Sequence, residues 1–476
     1  MKIAIIGAGA AGMGVASKLS REHEKLNIHV FQNHNYISLG ACGIPYFIAN
    51  DFKKQALLNA RTVKDFKNEQ YKSKIHFHLN HNVNNINPEK NELTYENKKK
   101  EQKTFKYKYL VIATGAKPNV FSPFDLQSQP KNLFTVINKE DAINIKAMIK
   151  NAQKIAIIGG SFIGLEMAET CLKLKKSVTI IEVKDRLMAN VFDQEFSPLI
   201  YNEITGTNKV ENKPKKSEHY AKVLLNTTVN KLNVKDNVII SLETNNSKQI
   251  DCDLVLLASG FTPNTSFLTK NNIKLAKNNA IVINEYGEVL IDNTDSKDKN
   301  VRKIAYENIF SGGDCATIIN QTNQTNNYLP LATSANKIAR IIANNIMYPY
   351  KKEVWPGTLG ASIIRVKHLE LARVGIKDDY WKPENIASIF IKNTDTPTYF
   401  PSSKPLYLKL FYDKVSYQIL GAEMAGYNKA VLRIDALSTA IWNKMDVRDL
   451  QYLDLVYAPP FATTTDIIQI AARKIK

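Results

Sequence analysis

Short apolar runs that end in glycine-containing turns recur along the chain. The run KIAIIG occurs at 2–7 and again at 154–159, and each copy leads into a stretch of small and apolar residues. A short continuous apolar run before a glycine turn is typical of a buried strand, and the stretches after the turns are long enough for helices. The pattern predicts an α/β protein that contains two similar strand–turn–helix units.

The first unit has the glycine spacing of a dinucleotide-binding turn, GxGxxG, at Gly7, Gly9 and Gly12. The first glycine permits the tight turn, the second lets a pyrophosphate approach the backbone at the helix N-terminus, and the third lets the helix pack closely on its strand. The next strand, NIHVFQ, ends at Gln32, where an acidic residue usually binds the ribose hydroxyls. The Gln32 amide can hydrogen-bond a hydroxyl, but it carries no charge.

The second unit repeats the design with Gly159, Ser161 and Gly164. Its second strand, SVTIIE, ends at Glu182 in the ribose position. A carboxylate there accepts a hydrogen bond from the ribose 2′-hydroxyl and repels a 2′-phosphate, so we expect NADH to be favoured over NADPH. Two such units predict two dinucleotides, and such a pair is typical of enzymes that pass electrons from a nicotinamide to a flavin.

Three further motifs follow short apolar strands. YKYLVIATGAKPN runs into Ala113, Thr114 and Gly115, and DLVLLASGFTPNTSFL repeats this design. NIFSGGDCATI places Gly313 and Asp314 after another strand. Together with the two glycine turns, these motifs resemble the flavin-dependent pyridine nucleotide–disulfide oxidoreductases over essentially the whole chain.

The resemblance implies an α/β fold of two Rossmann-like dinucleotide-binding domains, for FAD and for NAD(P)H, followed by a C-terminal α+β dimerisation domain. We expect a homodimer that forms through this last domain. The predicted divisions are 1–115 for the first part of the FAD-binding domain, 116–260 for the NAD(P)H-binding domain, 261–330 for the second part of the FAD-binding domain, and 331–476 for the dimerisation domain.

The resemblance also implies which residues line the cofactor sites, with Asp314 holding the ribitol chain of the flavin. For FAD we expect Gly7, Gly9, Ala10, Ala11, Gly12, Gln32, Asn33, Val83, Ala113, Thr114, Gly115, Gly313, Asp314, Leu331, Ala332 and Thr333. For NAD(P)H we expect Gly159, Ser161, Phe162, Ile163, Gly164, Glu182 and Gly260.

The stretch SLGACGIPYFI places Cys42 near glycines at the expected start of a helix. Relatives with a redox-active disulfide carry a second cysteine a few residues later, and here none follows. Single cysteines are more often buried and inert, but the motif context favours a nucleophile whose thiolate is stabilised by the helix N-terminus. Its disulfide partner must then come from outside the chain.

Two branches of single-cysteine relatives remain open. In coenzyme A disulfide reductases the cysteine forms a mixed disulfide with CoA, whereas in NADH oxidases and peroxidases it becomes a sulfenic acid. The oxidase branch usually carries a histidine in the first glycine loop, where this chain has Ala10, and ACGIPY also resembles the reductases. The sequence therefore favours CoA disulfide as the acceptor, with an NADH oxidase that reduces oxygen to water as the alternative.

Four positions match substrate contacts of the reductase branch. Lys18 and Arg21 correspond to residues that contact the CoA phosphates, Ser38 corresponds to a residue near the pantetheine, and Asn336 matches a further substrate position. Some relatives have an asparagine before the cysteine, where this chain has Ala41. One hydrogen bond to the substrate is therefore expected to be missing.

Two tyrosines match residues that reach the active site of the other subunit in the reductases, Tyr399 in TPTYFP and Tyr457 in LVYAPPF. A phenol can donate a proton to a departing thiolate or stabilise it by hydrogen bonding. The chain has no histidine after His368, so the C-terminal histidine of glutathione-reductase-like relatives has no counterpart.

Composition and charge narrow the partners and the location. Of 476 residues 44% are apolar, and no apolar run approaches the ~18 residues of a membrane span. Four cysteines without a metal-ligand spacing predict no metal site and suit a reducing, cytoplasmic location. The net charge of +19 is spread along the chain without a nucleic-acid motif, so a basic redox-sensing or nucleic-acid-binding flavoprotein is a remote alternative.

The polar segment 205–220 is predicted to be a structureless insertion.

Overall fold

The computed structural model describes residues 1–126, 130–207, 219–268, 271–292, 304–376 and 383–476. Most of the predicted insertion at 205–220 lies outside the described residues. The rest folds into two units with central parallel sheets and a third with an antiparallel sheet, which confirms the predicted fold of two Rossmann-like domains and a C-terminal α+β domain.

The first unit is built on a six-stranded sheet whose central strand is Lys2–Ile6. This strand has a parallel neighbour on each side and is buried from Ile3 onward. Central strands of parallel sheets are covered on both faces, which accounts for the unbroken apolar run. Strand Ala305–Ser311 pairs in parallel with Tyr109–Ile112, so two separate parts of the chain form this sheet. In sheet order the strands are Glu288–Leu290, Ala305–Ser311, Tyr109–Ile112, Lys2–Ile6, Asn27–Gln32 and Ile75–Leu79.

Two helices of the first unit, Ala10–Glu22 and Ala332–Met347, pack against each other. The second helix contributes Ile338 and Ile342 to the buried core of this unit. The division predicted at residue 331 stays a prediction, but this packing favours a later boundary, before the strand that begins at Ser362. An antiparallel sheet of Asn82–Asn87, Glu92–Glu96 and Gln102–Lys106 completes the unit.

The second unit has a five-stranded sheet that is parallel throughout. Its strands, in sheet order, are Lys222–Leu224, Ser177–Ile181, Lys154–Ile158, Leu254–Leu257 and Leu133–Thr135. Its helices are Lys139–Met148, Phe162–Lys173 and Ser197–Thr205, and an antiparallel sheet adds Val229–Lys235, Val238–Thr244 and Gln249–Asp251. Strands Ala116–Pro118 and Phe261–Pro263 pair where the chain enters and leaves this unit.

The third unit is a five-stranded antiparallel sheet with two helices, Ile434–Trp442 and Ile467–Arg473. In sheet order its strands are Ser362–Val366, Leu369–Gly375, Ile419–Gly426, Pro405–Asp413 and Ile386–Thr394. Shorter elements elsewhere are the helix Ile44–Ile48 and the strand pair Ile318–Ile319 with Asn326–Asn327. None of the described helices combines the length and the hydropathy needed to cross a bilayer.

Candidate active site

The glycine turn of the first unit is closed toward the sheet and open on its other side. A Cβ atom at Gly7, whose φ is +100°, would lie 2.1 Å from the carbonyl oxygen of Ala113, and one at Gly12 would lie 2.0 Å from the carbonyl oxygen of Gly7. A Cβ atom at Gly9 would meet no heavy atom within 4 Å. Gly9 also gives the helix Ala10–Glu22 no side-chain cap, so the first N–H groups of this helix remain available to an anion. The turn thus fits the phosphates of a dinucleotide.

Two adjoining cavities, of about 780 Å³ and about 680 Å³, meet at this turn, and both volumes are typical of small-molecule sites. The walls of both include Gly9, Ala113 and Gly115. The first cavity is also lined by the predicted FAD residues Ala10, Ala11, Gly313, Asp314 and Ala332, and the second by Gly7, Gln32, Asn33, Val83 and Thr114. The structure therefore brings most of the predicted FAD residues into one cleft.

Asp314 is a largely buried acid in the wall of the first cavity. Its carboxylate has no hydrogen bond or ion pair with the described residues, and burial raises its pKa. A buried carboxylate without donors is costly. The hydroxyl groups of a ribitol chain would supply such donors, so Asp314 fits the predicted FAD.

Gln32 is held by the backbone of its own unit. The N–H of Ala8 donates to Gln32 Oε1 and Gln32 Nε2 donates to the carbonyl oxygen of Tyr36, both at 3.3 Å. The amide keeps one hydrogen and one lone pair for a ligand. Its role toward a ribose stays a prediction.

Three predicted FAD residues, Gly12, Leu331 and Thr333, lie outside the walls of the two cavities, as does Gly260, which is predicted for NAD(P)H. Leu331 precedes the helix Ala332–Met347 and lines a smaller neighbouring cavity, and Thr333 is exposed in the first turn of that helix. Gly260, with φ at +92°, precedes the strand Phe261–Pro263. None of these four residues lines the cleft.

The second glycine turn has the same closed geometry as the first. A Cβ atom at Gly159, whose φ is +112°, would lie 2.4 Å from the carbonyl oxygen of Ala258, and one at Gly164 would lie 1.9 Å from the carbonyl oxygen of Gly159. Ser161 precedes the helix Phe162–Lys173 without capping it through its side chain. The start of this helix therefore keeps backbone donors for a second dinucleotide.

Glu182 lies at the end of its strand, as predicted, but its carboxylate already has backbone partners. The N–H of Gly160 donates to Oε2 at 2.6 Å and the N–H of Lys184 donates to Oε1 at 2.8 Å. These bonds fix the carboxylate beside the turn, and each oxygen keeps a lone pair. Phe162 and Ile163 are half-buried in the first helical turn. Contacts of these residues with a nicotinamide nucleotide remain predictions.

Cys42 is positioned by a short helix that is anchored in a core shared between units. It lies in the 3-10 turn Ala41–Gly43, which leads into the helix Ile44–Ile48. Ile44 and Phe47 of this helix belong to the buried core of the second unit. Cys42 itself is exposed in the wall of the first cavity, whereas the other three cysteines are buried.

The expectation of a lowered thiol pKa is wrong for the protein chain alone. Partial burial raises the pKa of Cys42, and the carboxylates of Glu166 and Asp314 raise it further. The helix that follows, Ile44–Ile48, has only five residues, so its dipole adds little to offset these effects. The thiolate therefore needs stabilisation from a bound group.

Glu166 was missed by sequence reasoning. Burial, with Glu169 as the second cause, raises its pKa to about 7. Glu166 and Tyr46 line a third cavity, of about 500 Å³, beside the cysteine helix. An acid that titrates near neutral pH can take up and release a proton during turnover. The sequence gives no specific signal for Glu166, because helices commonly contain acidic residues and this one simply follows shortly after Gly164.

The four predicted substrate residues all line the first cavity together with Cys42: Lys18, Arg21, Ser38 and Asn336. Ser38 has φ at +52° and is fixed by two backbone hydrogen bonds, from its N–H to Ala8 and from the N–H of Ala60 to its own carbonyl.

Two arginines that sequence reasoning missed, Arg61 and Arg340, also line the first cavity. Arg340 lies one helical turn after Asn336, which was the available signal.

Tyr399 and Tyr457 lie together on the third unit and do not line the first cavity. Tyr399 is 70% exposed and Tyr457 45% exposed. Local desolvation, followed by the phenol of Tyr457, raises the pKa of Tyr399. Two exposed, adjacent phenols on this surface agree with a role across a subunit interface, which remains a prediction.

Two protein-family models match this chain. Residues 1–337 match "Pyridine nucleotide-disulphide oxidoreductase", and residues 362–467 match "Pyridine nucleotide-disulphide oxidoreductase, dimerisation domain". Both matches agree with the resemblance found in the sequence motifs.

Three similar proteins span the whole chain. A CoA-dependent NAD(P)H sulfur oxidoreductase of Pyrococcus abyssi is 28% identical and is aligned over 100% of this chain and 98% of its own. A coenzyme A disulfide reductase of Staphylococcus aureus is 27% identical over 100% of both chains. The structure of an NAD-dependent persulfide reductase from A. fulgidus superposes with a TM-score of 0.86 at 28% identity, over 99% of this chain and 82% of that one.

Proposed function

The chain belongs to the pyridine nucleotide-disulphide oxidoreductase family, and we propose that it is an NAD(P)H-dependent coenzyme A disulfide reductase. Family membership implies FAD and NAD(P)H as cofactors. The observation that carries the proposal is the shared cavity of Cys42 with Lys18, Arg21, Ser38 and Asn336. A nucleophile and a set of phosphate-binding and polar groups thus face one space, as a thiol linked to a phosphorylated carrier requires.

FAD would be held by the first glycine turn, with the helix Ala10–Glu22 directed at its phosphates and Asp314 at its ribitol hydroxyls. When bound, FAD supplies the two-electron transfer between NAD(P)H and the disulfide at Cys42. The second glycine turn and Glu182 would hold the nicotinamide nucleotide. The fixed Glu182 carboxylate supports a preference for NADH.

The reaction at Cys42 consists of two sulfur exchanges. The Cys42 thiolate attacks one sulfur of CoA disulfide, which forms a Cys42–S–S–CoA mixed disulfide and releases one CoA thiolate. Two electrons then cleave the mixed disulfide, which releases the second CoA thiolate and restores the Cys42 thiolate. The net reaction consumes one NAD(P)H, one proton and one disulfide, and it yields NAD(P)⁺ and two CoA thiols.

Protons for the departing thiolates come from groups near the cavity. We propose that in a homodimer, which the matched dimerisation domain supports, Tyr399 and Tyr457 serve the cavity of the other subunit as hydrogen-bond or proton donors. Glu166 is a second donor candidate because of its pKa of about 7. The free cysteines support a reducing, cytoplasmic location.

A second candidate substrate is a persulfide or polysulfide. The relatives from Pyrococcus abyssi and A. fulgidus are named for reduction of sulfur and persulfide, and one of them as CoA-dependent. The same cavity would then bind CoA persulfide, and Cys42 would attack its sulfur–sulfur bond. The chemistry at Cys42 and the binding of the CoA moiety are common to both candidates.

Anaerobic turnover of the FAD-loaded enzyme tests the proposal. NADH oxidation should accelerate on addition of CoA disulfide, and Cys42→Ser should abolish the increment while flavin reduction by NADH persists. Faster turnover with CoA persulfide than with CoA disulfide would favour the second candidate. Rapid NADH consumption with oxygen and no response to either sulfur substrate would contradict the proposal and identify an NADH oxidase.

A further inference from the structure

Glu166 is a partly buried carboxylate whose hydrogen-bonding capacity is unused. It has no hydrogen bond or ion pair with the described residues. Glu169, three residues later in the same helix, accepts from Nη2 of Arg365 and from the N–H of Lys367, both at 3.1 Å. Arg365 is thus engaged by Glu169, and Glu166 keeps its full capacity to bind a proton.

The helix Phe162–Lys173 holds Glu166 against the segment that carries Cys42. Oγ1 of Thr170 donates to the carbonyl oxygen of Pro45 at 3.1 Å, a contact that is buried. Glu166 lies one helical turn before Thr170, so it faces the same segment. Its negative charge raises the pKa of the Cys42 thiol. Because such coupling is mutual, a thiolate at Cys42 disfavours the ionised form of Glu166 by the same free energy.

The third cavity connects Glu166 to solvent by a route that does not pass through the first cavity. Its wall includes Glu166 but not Cys42, and the lysines at 173 and 175 in this wall are exposed. Lys173 is paired with Asp51. Solvent in this cavity can therefore exchange a proton with Glu166 while the first cavity is filled. The titratable and charged groups that line the cavity beside Glu166 are Tyr46, Asp51, Glu169, Lys173, Lys175, His219, Arg365, Lys367 and His368.

We propose that Glu166 is a positioning residue that acts through Cys42: it takes up a proton from the third cavity when Cys42 becomes a thiolate, and it returns this proton when Cys42 enters a disulfide. The pair then carries one negative charge in both states. Two adjacent, partly buried negative charges would be costly, and the neutral carboxyl group avoids that cost. For the sulfur exchange at Cys42, this inference rests on the proposed function.

The exchange balances over one turnover. When two electrons cleave the mixed disulfide, Cys42 regains its thiolate and Glu166 binds one proton from solvent. When this thiolate attacks the next disulfide, the negative charge leaves with the CoA thiolate and Glu166 releases its proton. Uptake and release cancel, so the net reaction still consumes one proton. Burial and Glu169 together place the pKa of Glu166 at about 7, which suits both steps near neutral pH.

Infrared difference spectroscopy of the holoenzyme follows this proton directly, because a neutral carboxyl group and a carboxylate have different absorption bands. The reduced holoenzyme is treated with methyl methanethiosulfonate at about pH 7.5, just above the Glu166 pKa of about 7. The reagent caps Cys42 as a methyl disulfide, releases methanesulfinate and contains no CoA. The protonated fraction of Glu166 should fall on capping from about three-quarters to about one-quarter, for a coupling of about one pKa unit.

Three variants assign the signal. Glu166→Gln should lose the carboxyl change, and Cys42→Ser, which lacks the thiol that is capped, should show none. Glu169→Gln is the matched control on the same helix: it should keep the change but shift it to lower pH, because the Glu169 charge contributes to the raised pKa of Glu166. The flavin spectrum and Tm show whether each variant keeps its fold.

The outcomes separate this inference from the proposed function. A neutral carboxyl signal that does not change on capping, or that changes equally in Glu166→Gln, overturns the inference. Loss of the change in Glu169→Gln at every pH also overturns it. If the signal behaves as expected but CoA disulfide does not accelerate NADH oxidation, the proposed function fails and the proton exchange at Glu166 stands.

Discussion

Substitutions at two glycines of the first turn should separate ligand binding from folding. Gly9→Ala places a methyl group where no heavy atom lies within 4 Å, in a backbone conformation of φ −80° that alanine adopts readily. Gly12→Ala places the methyl carbon 2.0 Å from the backbone oxygen of Gly7, which cannot move without displacing the turn. We therefore expect Gly9→Ala to weaken FAD binding without destabilising the apoprotein, and Gly12→Ala to destabilise the apoprotein.

The magnitudes decide between competing effects at each site. For Gly12→Ala, overpacking costs about 3 kcal/mol, which exceeds the gain of about 1 kcal/mol in helix propensity. For Gly9→Ala, the smaller entropy of the unfolded chain stabilises the apoprotein by at most about 1 kcal/mol. The same methyl group occupies the phosphate approach, so loss of two backbone contacts should weaken FAD binding about 100-fold, which is about 3 kcal/mol.

The assay combines unfolding and flavin titration. Urea unfolding of each apoprotein, followed by tryptophan fluorescence, gives the free energy of unfolding, and quenching of flavin fluorescence gives the FAD affinity. Gly9→Ala should keep its stability and lose FAD affinity, whereas Gly12→Ala should lose stability. A Gly9→Ala protein that binds FAD as tightly as wild type would refute the placement of the phosphates at this turn.

Three further predictions concern Glu166 beside Cys42, the buried Glu423, and Tyr457. Glu166→Gln should lower the pKa of the Cys42 thiol, because it removes a nearby negative charge; the pH dependence of iodoacetamide labelling of Cys42 measures this, and an unchanged midpoint would contradict it. Burial raises the pKa of Glu423 to about 7, well above about 4.3 in the unfolded chain. The folded state then retains a proton that the unfolded state loses, so stability should fall as pH rises from about 4.5 to about 7; Glu423→Gln should flatten this slope in urea unfolding, and an unaltered slope would exclude the assignment. Tyr457→Phe should slow CoA disulfide turnover about tenfold or more with unchanged flavin reduction by NADH in stopped-flow measurements, and equal slowing of both steps would argue against a role at the sulfur.

The two dinucleotide units were predictable because their signals are local. An apolar strand, a glycine turn and a helix are contiguous in sequence, and the close approach of Gly12 to Gly7 follows from that local design. The same holds for Asp314, whose motif directly follows a strand. Each of these expectations depends on neighbours within a few residues.

The environment of Cys42 could not be predicted in this way. The thiol pKa is raised by burial and by Glu166, which belongs to a different unit far along the chain. The sequence indicated the helix after the cysteine but not that it would have only five residues. Long-range electrostatics of this kind depend on packing between units, for which the sequence contains no periodic signal.

The arginines of the first cavity were missed for a related reason. Arg61 and Arg340 lie far apart in the sequence but line one cavity, and Gly14 allows the helix that carries Arg340 to pack closely on the first helix. Arg340 resembled an ordinary solvent-exposed helix residue until its cavity was known. The helix that carries it also packs in the first core, which a division at residue 331 does not anticipate.

The central claim is that Cys42 exchanges with an external CoA disulfide. The most direct measurement is mass spectrometry of the holoenzyme, reduced with NADH, freed of excess reductant, incubated anaerobically with CoA disulfide and digested without thiols. The account predicts a CoA mixed disulfide on the peptide that contains Cys42, no adduct in Cys42→Ser, and removal of the adduct by NADH. An unmodified Cys42, or a Cys42 that carries only added oxygen after exposure to air, would contradict it.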